Sequence, residues 1–373
     1  MAPRVAMSSC SERAGLQRPV RSALCRLTVL LLAAAVSAAG VCQTAQQTVQ
    51  GVVQPSAAAS ASAAPAVPSA AAASAPAASA EAPKFDAQDY EWIDGERGRA
   101  VPVRLYMPTV ATAGASVPLV VFSHGIGGSR RGYTYLGHHW ASHGFASLHL
   151  QHTGSDRQLW SGNPLSVFGR LQAAAQESEA FNRARDFSFA LDQLLASEHG
   201  PRIDRTRIVA AGHSYGANTT LMVSGARVER DGKTLDVSDA RVKAAIVISA
   251  PPFYGESDSA RILGPIKIPT LHVTATEDII RVPGYYSPAS DRLVVFEATG
   301  GLGKTLAVFE GGSHNIFSDR QGSGGQVLNQ QVKAATQALS LAFLKQALDG
   351  DPSLLREWPK RFAALLQRFN ATP

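Results

Sequence analysis

Cysteine is nearly missing from these 373 residues: Cys10, Cys25 and Cys42 are the only three, all near the start. Nothing after Cys42 can form a disulfide, so the folded part must be held by burial and hydrogen bonding even in an oxidising compartment. Bulky apolar residues are scarce from 43 to 84, a stretch of mostly Ala, Pro, Ser and Gln. It has too little to bury to offset the entropy of ordering, and reads as a tether. A basic block is missing too. Of the 35 Lys and Arg and the 29 Asp and Glu residues, six and two precede Phe85, so the formal +6 reflects the leading segment and residues 85–373 are close to neutral. That argues against a nucleic-acid partner. No internal repeat is visible.

Two familiar motifs also fall short. His139 and His143, beside His138, have the i, i+4 spacing of metal ligands on a helix, but no glutamate follows His139 as in H-E-x-x-H, so a solvated or packing role is expected and no metal site. Ala298–Thr305 stands close to a phosphate-binding loop. Its first position is alanine, and Thr305–Phe309 reads as a strand where that loop needs a helix. A glycine turn between two strands, the first at Leu293–Phe296, explains it better, and no cofactor is expected.

What is present divides into three. Arg13, Arg18, Arg21 and Arg26 precede an apolar run, Leu27–Val36, that is too short to span a bilayer comfortably and is followed by the small residues Ser37–Ala39. Residues 1–42 therefore read as a signal peptide, with Met7 as an alternative start. The expected protein is exported, periplasmic or secreted, with no integral span after processing. Cys42 offers a lipid anchor instead, although Val41 before it departs from the small residue that lipoprotein signals favour. Residues 43–84 form the linker, and residues 85–373 are long enough for one large core.

In that last part strands alternate with helices. Glu91–Ile93 and Val101–Met107 flank a turn rich in Asp, Gly and Arg and read as an edge hairpin, a position that suits Pro102. Pro118–Phe122, Phe145–Leu150, Ile208–Ala211, Ala244–Ser249, Thr270–Thr274 and Leu306–Phe309 read as strands, with helices over Phe181–Leu195 and Val327–Leu348. The pattern implies a mainly parallel sheet with helices on both faces, whose ligands bind beyond the carboxyl ends of the strands.

Gly212-His213-Ser214-Tyr215-Gly216 breaks an apolar strand and opens a helix, the G-x-S-x-G pattern of a nucleophile elbow. A serine hydroxyl is a poor nucleophile near neutral pH, so it needs a base and a group that orients the base. His314 is the candidate base, on a loop just past a strand. Asp278, leaving the end of the Thr270 strand, is the candidate acid, with its neighbour Glu277 an open alternative and a helix cap at Ile279 as its plainer role. The amides of Tyr215 and Ile126 would form the oxyanion hole, the second because Gly125, Gly127 and Gly128 free that loop to turn inward. Trp160, Phe168, Phe253 and Tyr254 are candidates to line an acyl pocket. Asp186, within Arg183–Asp186, reads as part of a structural ion pair.

The stretches FSHGIGGSR, GHSYGANTT, TATED and GGSHNIF together resemble the serine α/β-hydrolases, over nearly all of 85–373. They look most like the bacterial dienelactone-hydrolase-like group, similar to secreted platelet-activating-factor acetylhydrolases and more distantly to polyester hydrolases. The resemblance implies the α/β-hydrolase fold and cleavage of a small-molecule or lipid-like carboxylic ester through an acyl-enzyme. Amide or thioester cleavage, or an idle hydrolase fold serving as an envelope binding protein, are the other readings. Three departures stand out. Ser214 replaces the cysteine of true dienelactone hydrolases. The acetylhydrolases carry their acid sooner, where this chain has Ser249-Ala250-Pro251, and the disulfide common in secreted polyester hydrolases is impossible here.

Overall fold

Unbroken apolar runs become the buried middle of a sheet. The structure is a computed structural model and describes residues 84–109, 115–282, 285–320 and 324–372. The signal, Cys42 and the linker up to residue 83 lie outside the described residues. An antiparallel hairpin, β1 (Phe85–Asp94) and β2 (Arg99–Pro108), leads into β3 (Val117–Ser123), α1 (Thr134–Ser142) and β4 (Ala146–Leu150). Then come α2 (Pro164–Ala174), α3 (Glu177–Ala196), β5 (Ile203–His213) and α4 (Tyr215–Val223). A small hairpin, β6 (Arg227–Arg230) and β7 (Lys233–Asp236), precedes β8 (Val242–Ile248), α5 (Ser259–Leu263) and β9 (Thr270–Glu277). A second short pair, β10 (Ile280–Val282) and β11 (Tyr285–Ser287), precedes α6 (Ser290–Ala298) and β12 (Lys304–Ser313). The last elements are α7 (Gly325–Asp349), α8 (Ser353–Arg361) and β13 (Leu366–Ala371).

Nine strands form the main sheet in the order β1-β2-β4-β3-β5-β8-β9-β12-β13. From β4 to β12 all neighbours are parallel, and antiparallel strands flank them on both sides. Alternation along each strand divides the core. Val120 and Phe122 join Val209, Ile246 and Val273 beneath α1, α7 and α8, whereas Leu119 and Val121 join Leu148, Ile208 and Ala210 beneath α3. Side chains two apart share a face of a strand, so one continuous apolar run supplies both layers.

Three expectations need correction. Pro102 is not on an edge strand, since β2 is flanked by β1 and β4; its pairing with β4 begins only at Val103, so the absent N–H of Pro102 leaves no gap in that ladder. Leu293–Phe296 lies in α6 and not in a strand. β9 and β12 are parallel neighbours, and joining them takes a crossover that α6 supplies. The glycines after it therefore make a helix-to-strand turn, where Lys304 Nζ donates to the carbonyls of Phe296 at 3.0 Å and Thr299 at 2.8 Å. Finally, Ile279 starts no helix: the chain continues into β10.

Five histidines, His124, His149, His152, His213 and His272, are buried in or beside the sheet. Burial holds all five imidazoles neutral, with the pKa of His149, His152, His213 and His272 lowered to about 3 and that of His124 well below its usual value. The unfolded chain takes up protons at these sites from about pH 6.5 downward while the folded chain does not. Stability is thus complete above that pH and is lost as pH falls from there toward 3. Each residue contributes about 1.4 kcal/mol per pH unit in that window. The melting temperature should fall by more than about 10 °C between pH 7.5 and 5; a flat profile in calorimetry would refute this account.

Candidate active site

β5 ends at His213, and the chain turns into α4 through Ser214, whose φ of 57° and ψ of −122° lie outside the regions favoured by L-residues. Its two flanking glycines are required by contact and not by their dihedral angles. A Cβ on Gly212 would lie 2.2 Å from the Gly216 carbonyl oxygen, and one on Gly216 would lie 1.9 Å from the Ser123 carbonyl oxygen. Strand, helix and the end of β3 therefore meet backbone to backbone around Ser214.

His314 stands immediately after β12, in a 3-10 turn, His314–Phe317. Its Nε2 lies 2.8 Å from Ser214 Oγ and its Nδ1 lies 2.7 Å from Asp278 Oδ1. With Nδ1–H donating to the carboxylate, Nε2 is left to accept the serine proton. The carboxylate that meets His314 is Asp278, which is fully buried; Glu277 is exposed. Burial alone would raise the Asp278 pKa, but the hydrogen bond and charge of His314, with Arg292 and Ser249, hold the carboxyl well below the usual range. Arg292 Nε sits 3.5 Å from Asp278 Oδ1.

Sequence reasoning missed how Ser249 serves this trio. Ser249 follows β8 with a left-handed φ of 58°. Its hydroxyl donates to Asp278 Oδ2, as does Thr274 Oγ1 at 2.7 Å, and lies 2.9 Å from His314 Nδ1. A positive φ on a serine at a strand end is not visible in a sequence. His213 is a second case: its Nδ1 meets Tyr133 Oη at 2.8 Å, its Nε2 meets the His314 carbonyl at 3.1 Å, and its ring lies 4.7 Å from that of His314.

The His124–Gly128 loop closes over Ser214. A Cβ on Gly125 would sit 3.2 Å from Ser214 Cβ, and Gly127 donates to the Ser155 carbonyl at 2.8 Å. The Ile126 amide has no partner among the described residues. Tyr215 is the first residue of α4, so its N–H is one of the donors a helix cannot satisfy internally. Ser214, His314 and this loop line a cavity of about 880 Å³, together with the apolar Trp160, Ile279, Ile280 and Val282 and the cations Arg157, Arg281 and Arg320. Trp160 is half-exposed, and its Nε1 donates to the Gly127 carbonyl at 3.2 Å. Phe253 and Tyr254 are not in the lining. Phe253 packs against the core, and Tyr254 is exposed beside Tyr285. Phe168 is also exposed, on α2.

A second Ser-His-Asp arrangement lies deeper. His152 Nε2 is 3.0 Å from Ser123 Oγ, and its Nδ1 is 3.1 Å from Asp186 Oδ2. All three residues are fully buried, and Arg99 pairs with Asp186 at 2.9 Å. Asp186 thus has the ion pair expected of it, and His152 besides. His139 and His143 meet with ring centroids 4.2 Å apart and planes tilted by 43°. Among the described residues no cluster of three or more His, Cys, Asp or Glu could hold a metal, and no helix is long and apolar enough to cross a membrane.

This geometry has relatives. A solved ferulic acid esterase from Streptomyces cinnamoneus aligns with a TM-score of 0.54 and 22% identity, covering 75% of this chain and 94% of its own. The fold is the α/β-hydrolase fold. A family model described as platelet-activating factor acetylhydrolase, isoform II, matches residues 99–158, which include the His124–Gly128 loop. Platelet-activating factor acetylhydrolases of Cavia porcellus and Bos taurus are 24% identical over 251 residues and 25% identical over 270. The matches cover 59% and 63% of this chain and 52% and 58% of those proteins, so the chain spans little more than half their length. The relationship is distant.

Because a Cβ at residue 216 would meet backbone that cannot move aside, Gly216→Ala should cost about 3 kcal/mol of stability. Urea unfolding measures it; an unchanged midpoint would show that the elbow can relax.

Proposed function

We propose that this α/β-hydrolase is an exported carboxylic ester hydrolase acting through an acyl-enzyme on Ser214. One observation carries the reading: Ser214, His314 and Asp278 are joined by hydrogen bonds of 2.8 and 2.7 Å at a cavity large enough for a small or lipid-like ester. Ser214 Oγ attacks the ester carbonyl carbon as its proton passes to His314 Nε2. Asp278, accepting from Nδ1–H, fixes the tautomer and stabilises the imidazolium. The amides of Ile126 and Tyr215 receive the oxyanion. His314 then protonates the leaving alcohol, and water repeats the sequence on the acyl-enzyme. No metal or cofactor is needed. The likeness to dienelactone-hydrolase-like proteins belongs to this reading and rests on FSHGIGGSR and GGSHNIF; the export reading rests on Leu27–Val36 and its flanks.

The Ser123 arrangement has similar chemistry without access. A nucleophile must reach a carbonyl carbon, and Ser123, His152 and Asp186 are all sealed from solvent. A fluorophosphonate probe should therefore label the wild type and Ser123→Ala but not Ser214→Ala. Hydrolysis of p-nitrophenyl esters should fall about 10⁴-fold or more in Ser214→Ala. Labelling that survives in Ser214→Ala and disappears in Ser123→Ala would reverse the assignment.

A further inference from the structure

Arg183, on α3, is fully buried, and no carboxylate pairs with it directly among the described residues. Glu179 and Asp186, the acids that act on it electrostatically, are paired with Arg99 instead. Burial lowers its pKa to about 10, which leaves the guanidinium charged at neutral pH. A buried cation is costly unless every donor is used. Here three of the five N–H donors go to neutral oxygens. Nε donates to Thr219 Oγ1 at 3.0 Å, Nη1 to Ser155 Oγ at 2.8 Å and Nη2 to the His124 carbonyl at 2.5 Å, while the guanidinium lies 4.5 Å from the centroid of the Tyr215 ring.

Each contact leads to one half of the oxyanion hole. His124 precedes Gly125 and Ile126, and the Ser155 carbonyl receives the Gly127 amide at 2.8 Å. Those two contacts fix the loop. Thr219 Oγ1 is 3.2 Å from the Tyr215 carbonyl, so Thr219 and the Tyr215 ring fix the first turn of α4. The buried Ser123–His152–Asp186 arrangement is the outer frame of the same network, because the His152 amide donates to His124 Nε2 at 3.1 Å.

We propose that Arg183 is the positioning residue of the oxyanion hole: one buried cation ties the loop bearing the Ile126 amide to the turn bearing the Tyr215 amide and sets the gap between the two donors. The proposal rests on the acyl-enzyme reading at Ser214. A planar guanidinium reaches three acceptors and stacks on a ring at once, which an ammonium cannot do.

Arg183→Lys, assayed as the full chain on a p-nitrophenyl ester, should lower kcat about a hundredfold with KM changed by less than about threefold. An alkyl trifluoromethyl ketone, whose adduct with a serine places an oxyanion in the hole, should lose affinity in proportion to the loss in kcat/KM. A residue that only supports the fold would not produce that proportionality. Should Arg183→Lys fail to fold, Thr219→Val and Ser155→Ala each remove one acceptor and should show the same proportionality at about tenfold. Wild-type kcat in folded Arg183→Lys, or unchanged ketone affinity alongside reduced kcat, would overturn the proposal. Fluorophosphonate labelling of wild type against Ser214→Ala, run in parallel, separates that outcome from a failure of the Ser214 reading.

Discussion

The molecule depends on a backbone contact: the Ser123 carbonyl oxygen lies where a Cβ of Gly216 would be. That contact wedges the first turn of α4 against the end of β3 and brings the His124–Gly128 loop, the Ser214 turn and the α4 amides into one small volume. Dispersion and hydrogen bonding then hold what the missing side chains allow. The strained φ of Ser214 persists because strands pair on both sides of β5 and cores pack on both faces of the sheet.

Around that wedge the polar groups separate by access. Ser214 and His314 face a cavity, whereas Ser123, His152 and Asp186 repeat the same residue types and similar spacings with no route to solvent. Similar hydrogen bonds can thus supply either chemistry or rigidity. What separates the two is whether a substrate atom can approach the serine, and whether the surrounding charges are already balanced. Asp186 is engaged by Arg99 as well as by His152, so His152 there is a bridge between fixed groups.

Much of this was legible in the sequence because it depends on local pattern. The glycines around Ser214 reveal a sharp turn, and His314 and Asp278 each follow a recognisable strand. Asp278 could not be separated from Glu277 by sequence, since adjacent residues at a strand end differ only in which way the backbone turns them. Ser249 and Arg183 were not legible in these roles at all. Their importance comes from contacts across 29 positions to Asp278 and 59 positions to His124, and neither sits in a motif. The error at Leu293–Phe296 has a similar origin: LVVF is strand-like by composition, and only the parallel pairing of β9 with β12 demands a helix there.

The antiparallel strand β13 is the outer neighbour of β12, the strand from which His314 emerges. During synthesis, residues 366–371 leave the ribosome about fifty residues after His314. Until they arrive, one side of β12 has only unpaired backbone groups, and His314 hangs from a half-supported strand. Ser214, by contrast, follows β5, whose neighbours β3 and β8 are both made before β12. The site is therefore assembled in time from Ser214 outward, and a chain released before β13 would present a formed elbow with a poorly held His314.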